Sequence, residues 1–161
     1  MSNLGLEIAL QHEGVSFLRA RVGDRYVLSM LKERGGVLGG ETSGHLLCLD
    51  RTTTGDGLVS ALQVLAAMKY SGRPLAELTA GMSRLPQVMI NVQVGQRVDP
   101  EQSQPIQAAV RRVEAALGSA GRVVLRASGT EPLIRVMVEG EEEAVVTRHA
   151  NELADIVRQA V

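Results

Sequence analysis

Two arginines, two hydroxyl residues and two glycines are gathered in RASGTEPLIRVMVEG, residues 126–140. The planar fork of an arginine holds two phosphate oxygens at once, which a lysine cannot do. Ser128 and Thr130 add hydroxyl donors, and Gly129 permits a positive φ that can turn successive N–H groups towards one anion. The apolar runs on either side predict strands. If they pair through the turn, alternation puts Val124 and Arg126 on one side of the first, and Leu133, Arg135 and Met137 on one side of the second. Both guanidinium groups then lie near the mouth of the turn, as an anion clamp requires. A tight hairpin with solvated arginines fits the same spacing.

A second polar group is GGETSGH, residues 39–45. Its glycines let backbone approach a ligand closely. Glu41 and Ser43 could bond sugar hydroxyls, and His45 could donate, accept or move a proton. A plain glycine-rich connection with a structural histidine is the competing reading. In RVGDRYV, residues 21–27, Asp24 fits a helix cap and Arg25 a solvated charge of the first turn. Asp56, in GDG, is a single carboxylate. It suits a cap better than magnesium, which needs several oxygen ligands. His12 and His149 fall on helices with no partner at ligand spacing.

The elements that must carry these groups follow from pattern. Ser2 can cap a first helix ending at Gly14; VSFLRA, residues 15–20, reads as a short strand. A helix from Asp24 stops at Gly35 and Gly36, and VLGG and LLCLD are short strands around ETSGH. A strongly apolar helix capped by Thr54 or Asp56 closes at Ser71 and Gly72, and PLAELTAGM starts another with Pro74 in its first turn. Alternating strands and helices predict an α/β arrangement to about residue 82. After SRLPQ the pattern becomes β-α-β-β-α: QVMINVQV, a helix in DPEQSQPIQAAVRRVEAALG, RVVLRAS, PLIRVMVEG, and a last helix. In that helix Val145, His149, Leu153, Ile156 and Ala160 recur at spacings of three or four. Two helices should cover one face of an antiparallel sheet.

The 161 residues are 45% hydrophobic, enough to bury a core. Seventeen basic against eighteen acidic side chains give a net charge of -1, so nucleic acid and acidic membranes find no general attraction. One Phe, two Tyr and no Trp leave few rings for base stacking. GVLG, residues 36–39, fits a GxxG loop of RNA-binding modules, but no basic surface accompanies it. Cys48, the single cysteine, lies in an apolar run and predicts a core thiol in a reducing compartment. The N-terminus has no signal-like basic region and no run is long enough to span a membrane, so the expected location is the cytoplasm.

Taken together, RVGDRYV, GGETSGH, TTTGDG and RASGTEPLIRVMVEG, in this order and at this separation, resemble the C-terminal part of the phosphohexomutases, in their bacterial phosphoglucosamine mutase branch. The resemblance runs along practically the whole chain, including MSNLGLE. Thr42 departs from the amide side chain usual there, and Ala127 from Lys or Pro. The fold class it implies is α/β: residues 1–82 as an incomplete third domain, then residues 83–161 as a small α+β C-terminal domain of TATA-box-binding-protein-like topology. The activity it implies is interconversion of glucosamine 6-phosphate and glucosamine 1-phosphate through a phosphoserine and a bisphosphate, with Mg2+ in the full-length enzyme and none held by this chain.

Carried onto these residues, the resemblance makes Glu41 and Ser43 sugar readers, with His45 beside them. Gly23, Asp24 and Arg25 become a second substrate loop, while Arg126, Ser128, Gly129, Thr130 and Arg135 hold the phosphate that is not reacting. The family's phosphoserine loop and DGD magnesium loop are absent from these residues. The implied partners are therefore a phosphosugar and the N-terminal domains of the same enzyme. Without those domains the chain is expected to bind without turnover, and apolar surface left uncovered would favour a homo-oligomer. A phosphomannomutase or phosphoglucomutase fragment, or a non-catalytic sugar-phosphate binding module, are the alternatives.

Overall fold

The computed structural model describes residues 1–95, 99–129 and 131–160. They form two compact units, Met1–Ser83 and Arg84–Val161.

In the first unit, α1 (Leu4–His12) is capped by Asn3, whose side chain accepts from the Gly5 N–H at 3.0 Å. The cap is one residue beyond Ser2; an asparagine oxygen reaches a first-turn N–H equally well. Residues 15–20 are irregular, not a strand. Alternating apolar residues favour extended backbone, but a strand also needs a hydrogen-bonding neighbour. The only ladder described in this unit joins β1 (Leu38–Gly40) to β2 (Leu46–Cys48). α2 (Asp24–Arg34) precedes that hairpin and ends at Gly35 in the left-handed region. Asp24 is its first helical residue and not its cap, which is Gly23.

α3 (Gly57–Ser71) is capped by Asp56, whose Oδ1 accepts from the Val59 N–H at 2.9 Å, and is followed by the single turn α4 (Leu75–Leu78). Asp56 is thus committed to the helix end, as its position in GDG implies. α3 buries none of its residues, and Leu58 is 80% exposed. Cys48 is buried and unbridged.

The second unit is a three-stranded antiparallel sheet with two helices on one face. Its strands are β3 (Gln87–Gln93), β4 (Gly121–Ala127) and β5 (Leu133–Gly140), in the order β3-β5-β4. Its helices are α5 (Gln104–Leu117) and α6 (Glu143–Ala160). Strand alternation sends Val92, Ile134, Val136 and Val138 to the helical face, where they meet Ile106, Ala109 and Val113 of α5 and Val146, Ala150, Leu153 and Val157 of α6. Cutting Ile106 or Ile134, both wholly buried, to alanine would cost roughly 2–5 kcal/mol.

The buried stripe of α6 is turned by one residue from the one its sequence suggests. Val146, Ala150, Leu153, Ala154 and Val157 are buried, while Val145 and Ile156 are only partly so. Small alanines permit close helix–sheet approach, and a count based on large side chains overlooks them.

Candidate functional site

The turn between β4 and β5 carries the first constellation. On this ladder Arg126 is the direct partner of Arg135, Val124 of Met137 and Arg122 of Glu139. Direct partners on antiparallel strands project to the same side, here the face opposite the helices. The strand parity expected from the sequence therefore holds, and both arginines share one face beside the turn.

Two features of this face point to an anion. Arg122 is answered across the ladder by the Glu139 carboxylate, with which it forms a salt bridge; Glu139 is wholly buried. Four residues along the same strands, the residue opposite Arg126 in the ladder is a second arginine. Like charges directly opposite each other destabilise a sheet unless a counter-charge sits between them. Nearby, Arg135 carries a buried Nε–H with no acceptor among the described residues, although an unmet buried donor is costly. Its terminal nitrogen lies 3.7 Å from the Glu131 carboxylate of the turn, so a carboxylate can reach this guanidinium.

The turn itself is braced by Ser128. That residue is 6% exposed; its N–H donates to the Leu133 carbonyl at 2.8 Å, and its Oγ accepts from the Glu131 N–H at 3.3 Å. Ser128 shapes the loop as well as offering a hydroxyl. Gly129 is exposed and does not use the positive φ that a glycine permits; a Cβ there would meet nothing within 4 Å. The glycine is not needed for backbone conformation, and what it leaves is open space above the loop. Thr130 lies outside the described residues.

The second constellation belongs to the first unit. Glu41, Ser43 and His45 occupy the β1–β2 turn, where the Glu41 N–H donates to the His45 carbonyl at 3.0 Å and Ser43 Oγ lies 3.2 Å from His45 Nδ1. The Glu41 carboxylate accepts the Gly23 N–H at 2.8 Å. This bond joins the hairpin turn to the loop before α2, and so brings Gly23, Asp24 and Arg25 beside Glu41. Nothing in the linear sequence marks this tie across 18 residues.

Gly23 has φ +123, a conformation that L side chains rarely adopt, and a Cβ there would lie 3.3 Å from the Tyr26 ring. Arg25 donates to the Tyr26 hydroxyl at 2.6 Å, and its guanidinium carbon lies 4.6 Å from that ring's centre. Asp24 accepts the Arg25 N–H at 2.7 Å. Arg25 is thereby held by its neighbour's ring while its charge stays exposed.

Among the described residues no group of three or more His, Cys, Asp or Glu could hold a metal ion. No helix among these residues is long and apolar enough to cross a membrane.

Known proteins match this chain along nearly its whole length. Residues 1–85 match the α/β/α domain III of phosphoglucomutase/phosphomannomutase, and residues 89–156 match the C-terminal domain of that family. The phosphoglucosamine mutase of Alkalilimnicola ehrlichii is 58% identical over 99% of the chain, and that of Proteus mirabilis 57% identical over 98%. The chain spans 36% of the length of each.

Among solved structures, Aspergillus fumigatus N-acetylphosphoglucosamine mutase in complex with glucose 1,6-bisphosphate superimposes with a TM-score of 0.78 at 21% identity, over 99% of this chain and 37% of that one, a likeness of fold. The same enzyme in complex with GlcNAc-6P and magnesium gives 0.57 at 26% identity, over 67% of this chain and 22% of that one. With one family domain matching more than half of its residues and the next domain following it, the chain belongs to the phosphoglucomutase/phosphomannomutase family.

Proposed function

We propose that the chain is the substrate-binding C-terminal portion of a phosphoglucosamine mutase, which interconverts glucosamine 6-phosphate and glucosamine 1-phosphate in the cytoplasm. Arg126 and Arg135 clamp the phosphate that is not being transferred, with Ser128, Gly129 and Thr130 forming the loop around it. Glu41, Ser43 and His45 read the sugar, and Gly23, Asp24 and Arg25 line the same loop pair. The observation that carries this reading is the arginine facing an arginine, beside an otherwise identical position where arginine faces glutamate.

The physical logic is that of a mutase. Phosphoryl transfer depends on position and charge stabilisation, so a fixed grip on one phosphate contributes to the transfer of the other. The serine that would carry the phosphoryl group and the DGD loop that would hold Mg2+ are absent from these 161 residues. Turnover then requires the remainder of the enzyme, and this chain alone binds without converting.

Titration with glucosamine 6-phosphate, followed by calorimetry or NMR, tests the proposal. Arg126→Ala should abolish binding. Glu41→Gln, which keeps an oxygen for the Gly23 N–H but loses the charge, should alter discrimination among sugars more than phosphate affinity. Equal affinity in all three proteins would reject both assignments. Turnover by the chain alone, with magnesium and a bisphosphate activator, would reject the division of labour.

A further inference from the structure

On the sheet face that carries the arginines, partners in register form three rows across β3, β5 and β4. The first is Gln87, Glu139 and Arg122; the second is Met89, Met137 and Val124; the third is Asn91, Arg135 and Arg126. Neighbouring strands lie about 4.8 Å apart, so the three Cα atoms of a row fall within about 10 Å. The first row neutralises itself through the buried carboxylate of Glu139. The second is apolar. The third holds two guanidinium groups and one carboxamide, with no carboxylate among its three residues.

Asn91 occupies a particular place in that row. It is the direct partner of Arg135, whose buried Nε–H has no acceptor among the described residues. A carboxamide is the neutral group suited to this position. Its oxygen does not accept the Nε–H in this structure, but after a rotation of the carboxamide it can, holding the guanidinium plane and leaving the two terminal nitrogens to face an anion. Its NH2 can donate to the same anion. A carboxylate there would instead occupy the fork.

We propose that Asn91 is the third member of the anion site, a positioning residue that orients Arg135 and a neutral donor to the bound phosphate. This rests on the reading of Arg126 and Arg135 as a phosphate clamp. It extends the site from the β4–β5 turn across the whole sheet to β3, whose sequence separation from the turn hides the relationship.

The test is a titration of the complete chain with inorganic phosphate and with glucosamine 6-phosphate, following the Arg135 Nε–H resonance by NMR. Four variants are compared. Asn91→Val keeps a good strand former and removes the amide; Asn91→Asp places a carboxylate beside Arg135; Gln93→Ala, opposite Leu133 on the same face, is the control; Arg126→Ala tests the clamp itself.

Asn91→Val should weaken binding by about 3- to 10-fold, the size of one hydrogen bond, and shrink the ligand-induced shift at Arg135 Nε. Asn91→Asp should weaken binding further, while Gln93→Ala leaves it unchanged. If Arg126→Ala abolishes binding but both Asn91 variants bind as the unsubstituted chain does, the proposal is overturned and the clamp stands. If Arg126→Ala binds normally, the clamp falls and the proposal with it.

Discussion

Arg122 and Glu139 face each other across β4 and β5, and their salt bridge has a wholly buried carboxylate at one end. The pair fixes one end of the face whose other end bears Arg126 and Arg135. Removing one member of a buried pair strands the other charge, which typically costs about 3–5 kcal/mol. Arg122→Ala should lower the unfolding free energy by about 3 kcal/mol in urea, without a specific loss of phosphate affinity. Replacing both, as Arg122→Met with Glu139→Leu, should recover most of that loss. A single variant as stable as the unsubstituted chain would show that the bridge does not hold this end of the sheet.

Glu131 bears on the clamp in the opposite sense. Its carboxylate lies 3.7 Å from an Arg135 terminal nitrogen and is 58% exposed, so it competes with any phosphate for that guanidinium. Exposed ion pairs are worth roughly 0.2–1 kcal/mol. Glu131→Gln should therefore tighten phosphate binding by about 2-fold at low salt, with the advantage shrinking as added salt screens the competitor. Calorimetric titration at two ionic strengths checks this, and weaker binding by the variant would show that Glu131 supports the site.

Features governed by near neighbours were legible in the sequence. The shared side of Arg126 and Arg135 follows from alternation through one turn, and the Asp56 cap from its place before an apolar helix. What the sequence hid or misled on is what a distant partner decides. Residues 15–20 have strand composition but no ladder. Asn91 meets Arg135 only through the β3–β5 register, and the Glu41 tie to Gly23 depends on how the hairpin turn meets the loop before α2. At Gly129 the sequence shows only what is permitted: glycine allows a positive φ without requiring it, and here does not use it.

Glu152 supplies a pH signature on the helical side. Its carboxyl is held below the ordinary value of 4.5, chiefly by a hydrogen bond from Arg112, opposed by burial and assisted by His149. Arg112 Nη2 lies 2.6 Å from it, joining α5 to α6. With the folded value depressed, the unfolded chain binds more protons over the acid range. The stabilisation is thus present above pH 4.5 and lost as pH falls through the lowered folded value. Arg112→Ala should flatten this acid limb. Both side chains are more than a third exposed, so the change should stay below about 1 kcal/mol. Urea midpoints for the two proteins at pH 3 to 6 (roughly the titration range of a carboxylate) measure it, and parallel curves would refute the assignment.

Gly23 and Gly129 make a contrasting pair. Gly23 stands at φ +123 with its N–H on Glu41, so an alanine there is strained whatever the space. Residues forced into such regions cost of order 1–3 kcal/mol. Gly23→Ala should accordingly destabilise the chain by about 2 kcal/mol and loosen the loop that carries Arg25. Gly129 has no such conformation, and an added Cβ meets nothing. Gly129→Ala should change stability by less than about 0.5 kcal/mol, yet weaken phosphate binding several-fold if the ligand uses the open space above the turn. Urea unfolding and phosphate titration of both variants separate the cases. Unchanged affinity in Gly129→Ala would move the bound phosphate away from the loop and onto the sheet face alone.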